Sequence, residues 1–130
     1  MNSRIRNILG LALCLTVMGT LSCFPQTKEI SNQQLLELKV KGNLQLIDVR
    51  TPEEVAEGTI DGAQNIDFRD PKFKQQIATL DKTKPIAVYC GAGGRSGKTS
   101  QLLEELGFQE IYDLTGGFTQ WEAENFPVVK

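Results

Sequence analysis

The sequence predicts an α/β layer fold around a mainly parallel sheet. Three observations point there. Short apolar runs alternate with helix-start signals along the chain. The most strand-like run, residues 85–90 (PIAVYC), empties directly into a glycine cluster. Gly42, Gly58 and Gly107 fall where the helical patterns should stop. At 130 residues, 40% hydrophobic and 23% charged, the chain allows one ordinary globular domain.

The first segment reads as an address. Arg4 and Arg6 make a short positive region, and residues 8–21 are apolar or small without a charge. As a helix that stretch would rise only ~21 Å, less than the ~30 Å hydrocarbon core, so a cleaved export signal fits better than a spanning helix. The junction at residues 20–23 (TLSC) resembles a bacterial lipoprotein signal, although Thr20 replaces the usual aliphatic residue. We therefore expect residues 1–22 to be an export signal peptide, with Cys23 the lipidated residue. Residues 23–28 would be a tether and residues 29–130 the domain. The expected location is the periplasm or cell envelope, with the protein held to the membrane through its lipid. Losing Arg4 and Arg6 with the signal changes the net charge from −2 to −4.

The domain follows element by element. Ser31 and Gln34 form a capping-box pattern, with Ile30 and Leu35 placed as a hydrophobic staple, and Gly42 ends that helix. Residues 44–48 (LQLID) read as a buried strand. Thr51, Pro52 and Glu54 open a short second helix that Gly58 terminates. Residues 63–66 suggest a brief strand. Asp70 and Pro71 are expected to cap a helix whose Phe73, Ile77 and Leu80 share one face. Residues 85–90 are a strand, 96–106 a helix with Leu102, Leu103 and Leu106 inward, and 111–114 the last strand. Gly116 and Gly117 then lead into a final turn of helix carrying Trp121.

Composition excludes several chemistries. The chain has no His, which removes the Ser-His-Asp triad, the Cys-His dyad and the H-E-x-x-H zinc site. Its three cysteines, at 14, 23 and 90, form no C-x-x-C pair, so neither a cysteine-rich metal site nor a dithiol redox pair is expected. No cofactor or metal is called for. A negative net charge argues against a nucleic-acid partner.

The chemistry concentrates in residues 90–96 (CGAGGRS). A cysteine ends a buried strand, where open α/β sheets bind their ligands. Gly91, Ala92, Gly93 and Gly94 then form a loop whose successive N–H groups can converge into an anion nest. The next helix begins at once, and its N-terminus and Arg95 add positive potential. Such surroundings lower a thiol pKa, so Cys90 is expected to be a thiolate nucleophile that needs no histidine base. The plainer reading makes Cys90 a small buried hydrophobe, and three glycines and an arginine beside it argue otherwise.

Four ordered motifs then carry a resemblance over residues 29–127: residues 46–50 (LIDVR), 52–66 (PEEVAEGTIDGAQNI), 89–97 (YCGAGGRSG) and 116–121 (GGFTQW). The sequence resembles the single-domain rhodanese-like sulfurtransferases. The resemblance implies a five-stranded parallel sheet flanked by helices on both faces, and a Cys90 that carries sulfur as a persulfide. It also implies a small sulfur-containing anion such as thiosulfate as donor, and a thiol or cyanide as acceptor. Gly91–Ser96 would bind the substrate, Arg95 holding the loop and attracting the anionic donor and Ser96 donating to the thiolate. Asp48 and Arg50 would brace the site by ion pairing, although Asp48 also reads as a simple turn cap. Thr59 and Asp61 depart from the family, which usually has His and Pro there.

Three rival readings remain on the residues. A phosphatase would use a similar nest, but its loop is Cys-x5-Arg and Cys90 to Arg95 is Cys-x4-Arg. Residues 92–99 (AGGRSGKT) match a relaxed phosphate-loop pattern, yet no later strand supplies the metal-holding Asp, and Lys98 reads as a solvated helix residue. A binding or redox-sensing module without turnover is the third reading, since a low-pKa thiol also oxidises readily. Phe118 and Trp121 fit a binding surface or, more simply, a core.

Overall fold

The computed structural model describes Gly19 and residues 25–130. Residues 1–18 and 20–24 lie outside the described residues, and with them nearly all of the expected export signal (1–22) and Cys23. Five strands and five helices follow in chain order: β1 (Lys28–Glu29), α1 (Asn32–Lys41), β2 (Gln45–Asp48), α2 (Pro52–Ala56), β3 (Gln64–Asn65), α3 (Phe73–Ala78), β4 (Ile86–Tyr89), α4 (Gly94–Glu105), β5 (Ile111–Asp113) and α5 (Gly117–Ala123). The sheet is parallel throughout, in the order β1-β5-β4-β2-β3.

That order explains which helix covers which face. The chain crosses the sheet one way from β1 to β2 through α1, and returns from β3 to β5 through α3 and α4. Right-handed crossovers in opposite directions must use opposite faces. The two cores separate accordingly. Ile47, Val49, Ile86, Val88 and Ile111 pack with Phe73, Ile77 and Leu103 of α3 and α4. Leu46, Ala87, Tyr89 and Tyr112 pack with Leu35, Phe118 and Trp121 of α1 and α5. Alternation along β4 therefore sends Cys90 to the α3/α4 face and Tyr89 to the α1/α5 face. Phe118 and Trp121 are core residues, with the Trp121 indole N–H donating to the Pro127 carbonyl at 2.8 Å.

Both expected capping boxes form, at Ser31 with Gln34 and at Thr51 with Glu54. Three boundaries differ from the sequence reading. Lys28, placed in the tether, pairs with Tyr112 in an edge strand, and the Thr27 N–H and hydroxyl both donate to Glu104. Both residues of this strand are exposed, so no apolar alternation marks it. α3 begins at Phe73 after an uncapped Lys72; Asp70 instead closes the preceding turn, its carboxylate accepting from the Lys72 N–H. α4 starts at Gly94, two residues earlier than expected. Glycine disfavours helix, which hides this start in the sequence. Gly93, at φ 105°, turns the chain sharply enough for the Gly97 N–H to reach the Gly93 carbonyl at 3.0 Å.

Candidate active site

The site lies at the carboxyl end of β4, the central strand. Cys90 is buried, only 2% exposed, on the α4 side. Its loop reaches the surface at Ala92 and Gly94. The Gly93 N–H donates to Cys90 Sγ at 3.0 Å, and the Ser96 hydroxyl lies 3.7 Å from the sulfur. Burial pushes the thiol pKa up. Hydrogen bonding with the Ser96 backbone and side chain, and with the Gly93 and Ala92 backbones, outweighs it, and the thiol ends below its ordinary value. The early start of α4 makes this possible, since Arg95 and Ser96 then belong to its first turn, where N–H groups have no helical partner.

The loop is shaped from outside by α5. The Phe118 N–H donates to the Cys90 carbonyl at 2.8 Å, and the Thr119 N–H to the Gly91 carbonyl at 3.0 Å. With those carbonyls drawn towards α5, the loop N–H groups are free to face the sulfur. Gly117, at φ 62°, allows this contact. A Cβ there would stand 2.4 Å from the Gly91 oxygen and 2.7 Å from the Cys90 oxygen. A Cβ on Gly93 would likewise meet the Thr115 carbonyl at 2.7 Å. In the sequence Gly116 and Gly117 show only as a helix lead-in, and a glycine pair opening a helix is the signal that marks the clamp.

Arg95 is engaged by Glu54, a residue that the sequence pattern marks only as a helix cap. Its guanidinium makes two hydrogen bonds to Glu54, at 2.7 and 2.9 Å. Arg95 holds the Glu54 carboxyl at a pKa of about 2. The positive charge expected to draw in an anion is thus largely neutralised in place. Forty-one residues separate the two, so no local pattern announces the pair.

Asp48 and Arg50 do pair, on the opposite face of the sheet from the thiol. The Arg50 guanidinium donates to Asp48 at 2.7 Å and to the Gly58 carbonyl at 2.7 Å, and lies 4.0 Å over the Phe118 ring. The Arg50 N–H also donates to Asp48, so the turn-cap reading holds as well. Thr59 donates its hydroxyl to Asp48 at 3.0 Å and stands 2.8 Å from the Tyr89 hydroxyl. Thr59 has one proton and gives it to a carboxylate, so Tyr89 donates to Thr59 and accepts the Ile60 N–H. The network touches the cysteine loop through Phe118, whose N–H holds the Cys90 carbonyl. Lys98 is exposed, and the Thr99 hydroxyl donates to the Arg95 carbonyl at 2.8 Å.

A thiol at a strand end, seated in backbone N–H groups and flanked by an arginine, defines a class of cysteine enzyme, and the comparisons give its family. Residues 31–124 match the family model of the rhodanese-like domain, and the chain belongs to that family as a rhodanese-type sulfurtransferase. YtwF of Bacillus subtilis is 40% identical over 103 residues, covering 78% of this chain and 97% of its own. The thiosulfate sulfurtransferase GlpE of Coxiella burnetii is 36% identical over 98 residues, covering 75% and 90% respectively. Among solved structures, the rhodanese-related protein of Thermoplasma volcanium superposes with a TM-score of 0.69 at 32% identity, covering 78% of this chain and 97% of that one.

Proposed function

We propose that Cys90 carries sulfane sulfur between an anionic donor such as thiosulfate and a thiol or cyanide acceptor. The thiolate attacks the outer sulfur of thiosulfate, a new S–S bond forms, and sulfite leaves with the electron pair of the broken bond. Cys90 is left as a persulfide. Its terminal sulfur carries the negative charge, and the N–H groups of residues 91–96 are the donors available to stabilise it, like an oxyanion hole built for sulfur. An acceptor thiolate or cyanide then attacks the outer sulfur and restores the Cys90 thiolate. Neither half-reaction needs a cofactor or consumes a proton when the acceptor is an anion.

The observation that carries this reading is the Gly93 N–H on Cys90 Sγ, in a loop whose carbonyls α5 holds away. The thiosulfate sulfurtransferase named above adds support for the donor. The test is incubation with thiosulfate and cyanide, scored as thiocyanate, with Cys90→Ala as control. Turnover that disappears in the variant is expected, together with a wild-type intact mass heavier by one sulfur after thiosulfate alone. Failure of both would favour a binding or redox-sensing module. Hydrolysis of an aryl phosphate by the unaltered protein would favour the phosphatase.

We also propose that the protein is exported and anchored in the cell envelope through a lipid on Cys23. A hydrophobic mass on the mature N-terminus, and release of Cys23→Ser from the membrane fraction, are the expected results. An unmodified, unprocessed chain would overturn this.

A further inference from the structure

Asp113 ends β5 as a buried carboxylate with an unmet demand. It is 5% exposed, and its Oδ1 has no hydrogen-bond partner among the described residues. Buried polar groups normally find partners, so an orphaned carboxylate oxygen calls for an explanation. The neighbouring strands bring no cation to it. On β4 its register partner is the uncharged Val88, and on β1 it is Glu29. Paired strands run ~4.8 Å apart, and like charges side by side on a sheet are destabilising. Lys28, next along β1, pairs with Tyr112 and falls on the other face.

Asp113 and Glu29 line a groove of about 190 Å3 at the β1/β5 edge, together with Thr27 and with Gly97, Ser100 and Glu104 of α4. Three carboxylates line it, and no Lys or Arg. Its hydroxyls have spent their protons. Thr27 donates to Glu104 Oε1 at 2.7 Å, and Ser100 to the Ser96 carbonyl at 3.0 Å. The Thr27 N–H also falls on Oε1, which leaves Glu104 Oε2 uncommitted among the described residues. Gln101 is the one lining side chain with protons left to give. Gly97 fits the same picture. Glycine weakens a helix interior, yet a Cβ there would meet nothing within 4 Å. Packing does not demand the glycine, and its bare backbone widens the groove.

A lining of acceptors and acids fits a cation that donates hydrogen bonds. A metal ion fits poorly: among the described residues, no three His, Cys, Asp or Glu side chains form a group that could hold one. Carboxylates too far apart for one centre suit a ligand with two. We propose that this groove binds a short aliphatic diamine, one ammonium seated between Asp113 and Glu29 and the other at Glu104. An ammonium has three N–H donors and no acceptor, so it meets every demand the groove makes and adds none. The carboxyl plane of an aspartate turns easily about χ2, so either oxygen of Asp113 can meet the amine. Burial pushes the Asp113 pKa up, the Ser96 side chain opposes this, and the Glu29 charge adds to it. A neighbouring ammonium offsets burial and Glu29 alike.

The test uses the full chain, with diaminobutane as the probe, and needs no sulfur donor. Thermal unfolding is followed at constant ionic strength, with sodium and tetramethylammonium chlorides as cations that carry charge without N–H groups. A ligand of the folded state raises the unfolding temperature as its concentration rises. Diaminobutane should raise it, butylamine should raise it less, and the two controls should not. Amide nitrogen–proton spectra through the titration should shift at Gly97, Ser100 and Asp113. Asp113→Asn should weaken diaminobutane by about tenfold or more, the loss of one charged hydrogen bond. Glu104→Gln should bring the diamine down to the level of butylamine. Equal stabilisation by tetramethylammonium, shifts confined to other residues, or wild-type affinity in Asp113→Asn overturns the proposal. If Asp113→Asn does not fold, Glu29→Gln, a change at an exposed position, decides on the same terms.

Discussion

The two sides of the sheet at the carboxyl end of β4 are built on opposite plans. On the α4 side, Cys90 meets mainly backbone N–H groups and one hydroxyl, in a loop open to the surface at Ala92 and Gly94. On the α5 side, Arg50, Asp48, Thr59 and Tyr89 satisfy one another through side chains, with Asp48 and Arg50 almost wholly enclosed. The first arrangement leaves hydrogen-bonding capacity for an arriving atom. The second has spent its capacity internally. Residues of similar chemical promise therefore divide: the charged pair is closed on itself, and the uncharged loop keeps backbone donors turned to the sulfur. Phe118 joins the two, lying under Arg50 and holding the Cys90 carbonyl.

The largest effect that tests this division is on stability. Asp48→Ala leaves Arg50 buried without its partner, and loss of one member of a buried pair costs about 3–5 kcal/mol. Chemical denaturation should show that loss, while alkylation of Cys90 in the folded fraction keeps nearly the wild-type pH midpoint. A thiol midpoint that moves with the stability would show that the pair tunes the nucleophile directly.

Gly117→Ala attacks the link itself. The new Cβ cannot sit 2.4 Å from the Gly91 oxygen, so the loop must shift. Misplacing a reacting group by about 1 Å can cost about 100-fold in rate. We expect sulfur transfer to fall on that scale while the protein still folds. Wild-type turnover in this variant would separate α5 from loop geometry.

Thr59→Val removes one hydroxyl from the α5-side network. Asp48 loses a donor and Tyr89 an acceptor, at about 1–3 kcal/mol for buried partners left unsatisfied. The expected result is a lower denaturation midpoint with thiocyanate formation kept. The family usually has His at this position, so Thr59 also tests whether the departure matters for chemistry or only for packing. A change in donor preference would assign it to chemistry.

Much of this was legible in the sequence, for a consistent reason. Capping boxes at Ser31 and Thr51 and the apolar run leading to Cys90 are local patterns, and each forms where expected, while the glycine loop is cut short by α4, which begins at Gly94. What escaped depended on distance along the chain. β1 is recognisable only as the neighbour of β5, because its two residues carry no apolar pattern. Glu54 looked complete as a helix cap and gave no sign of its second role on Arg95. The Gly117 clamp and the orphaned Asp113 oxygen exist only once separate strands and helices meet.

The smallest expected effect concerns that Glu54–Arg95 pair, the one ion pair on the reactive side among the described residues. The Glu54 carboxyl titrates at about 2 in the folded protein, held down first by Arg95, against about 4.3 for an unperturbed glutamate. A depressed folded value stabilises the protein fully above about pH 4.3, and the contribution is lost as pH falls towards 2. The pair is partly exposed, with side chains 22% and 36% accessible, so solvent screening limits it to at most about 1 kcal/mol. Glu54→Gln should therefore match wild type at low pH and fall slightly behind it above about pH 5 in denaturation midpoints. It also frees the Arg95 charge beside Cys90. If Arg95 attracts the donor when unpaired, the variant should show a lower KM for thiosulfate with kcat little changed. An unchanged KM would leave Arg95 a brace, and both sides of the sheet would then use their charged residues alike.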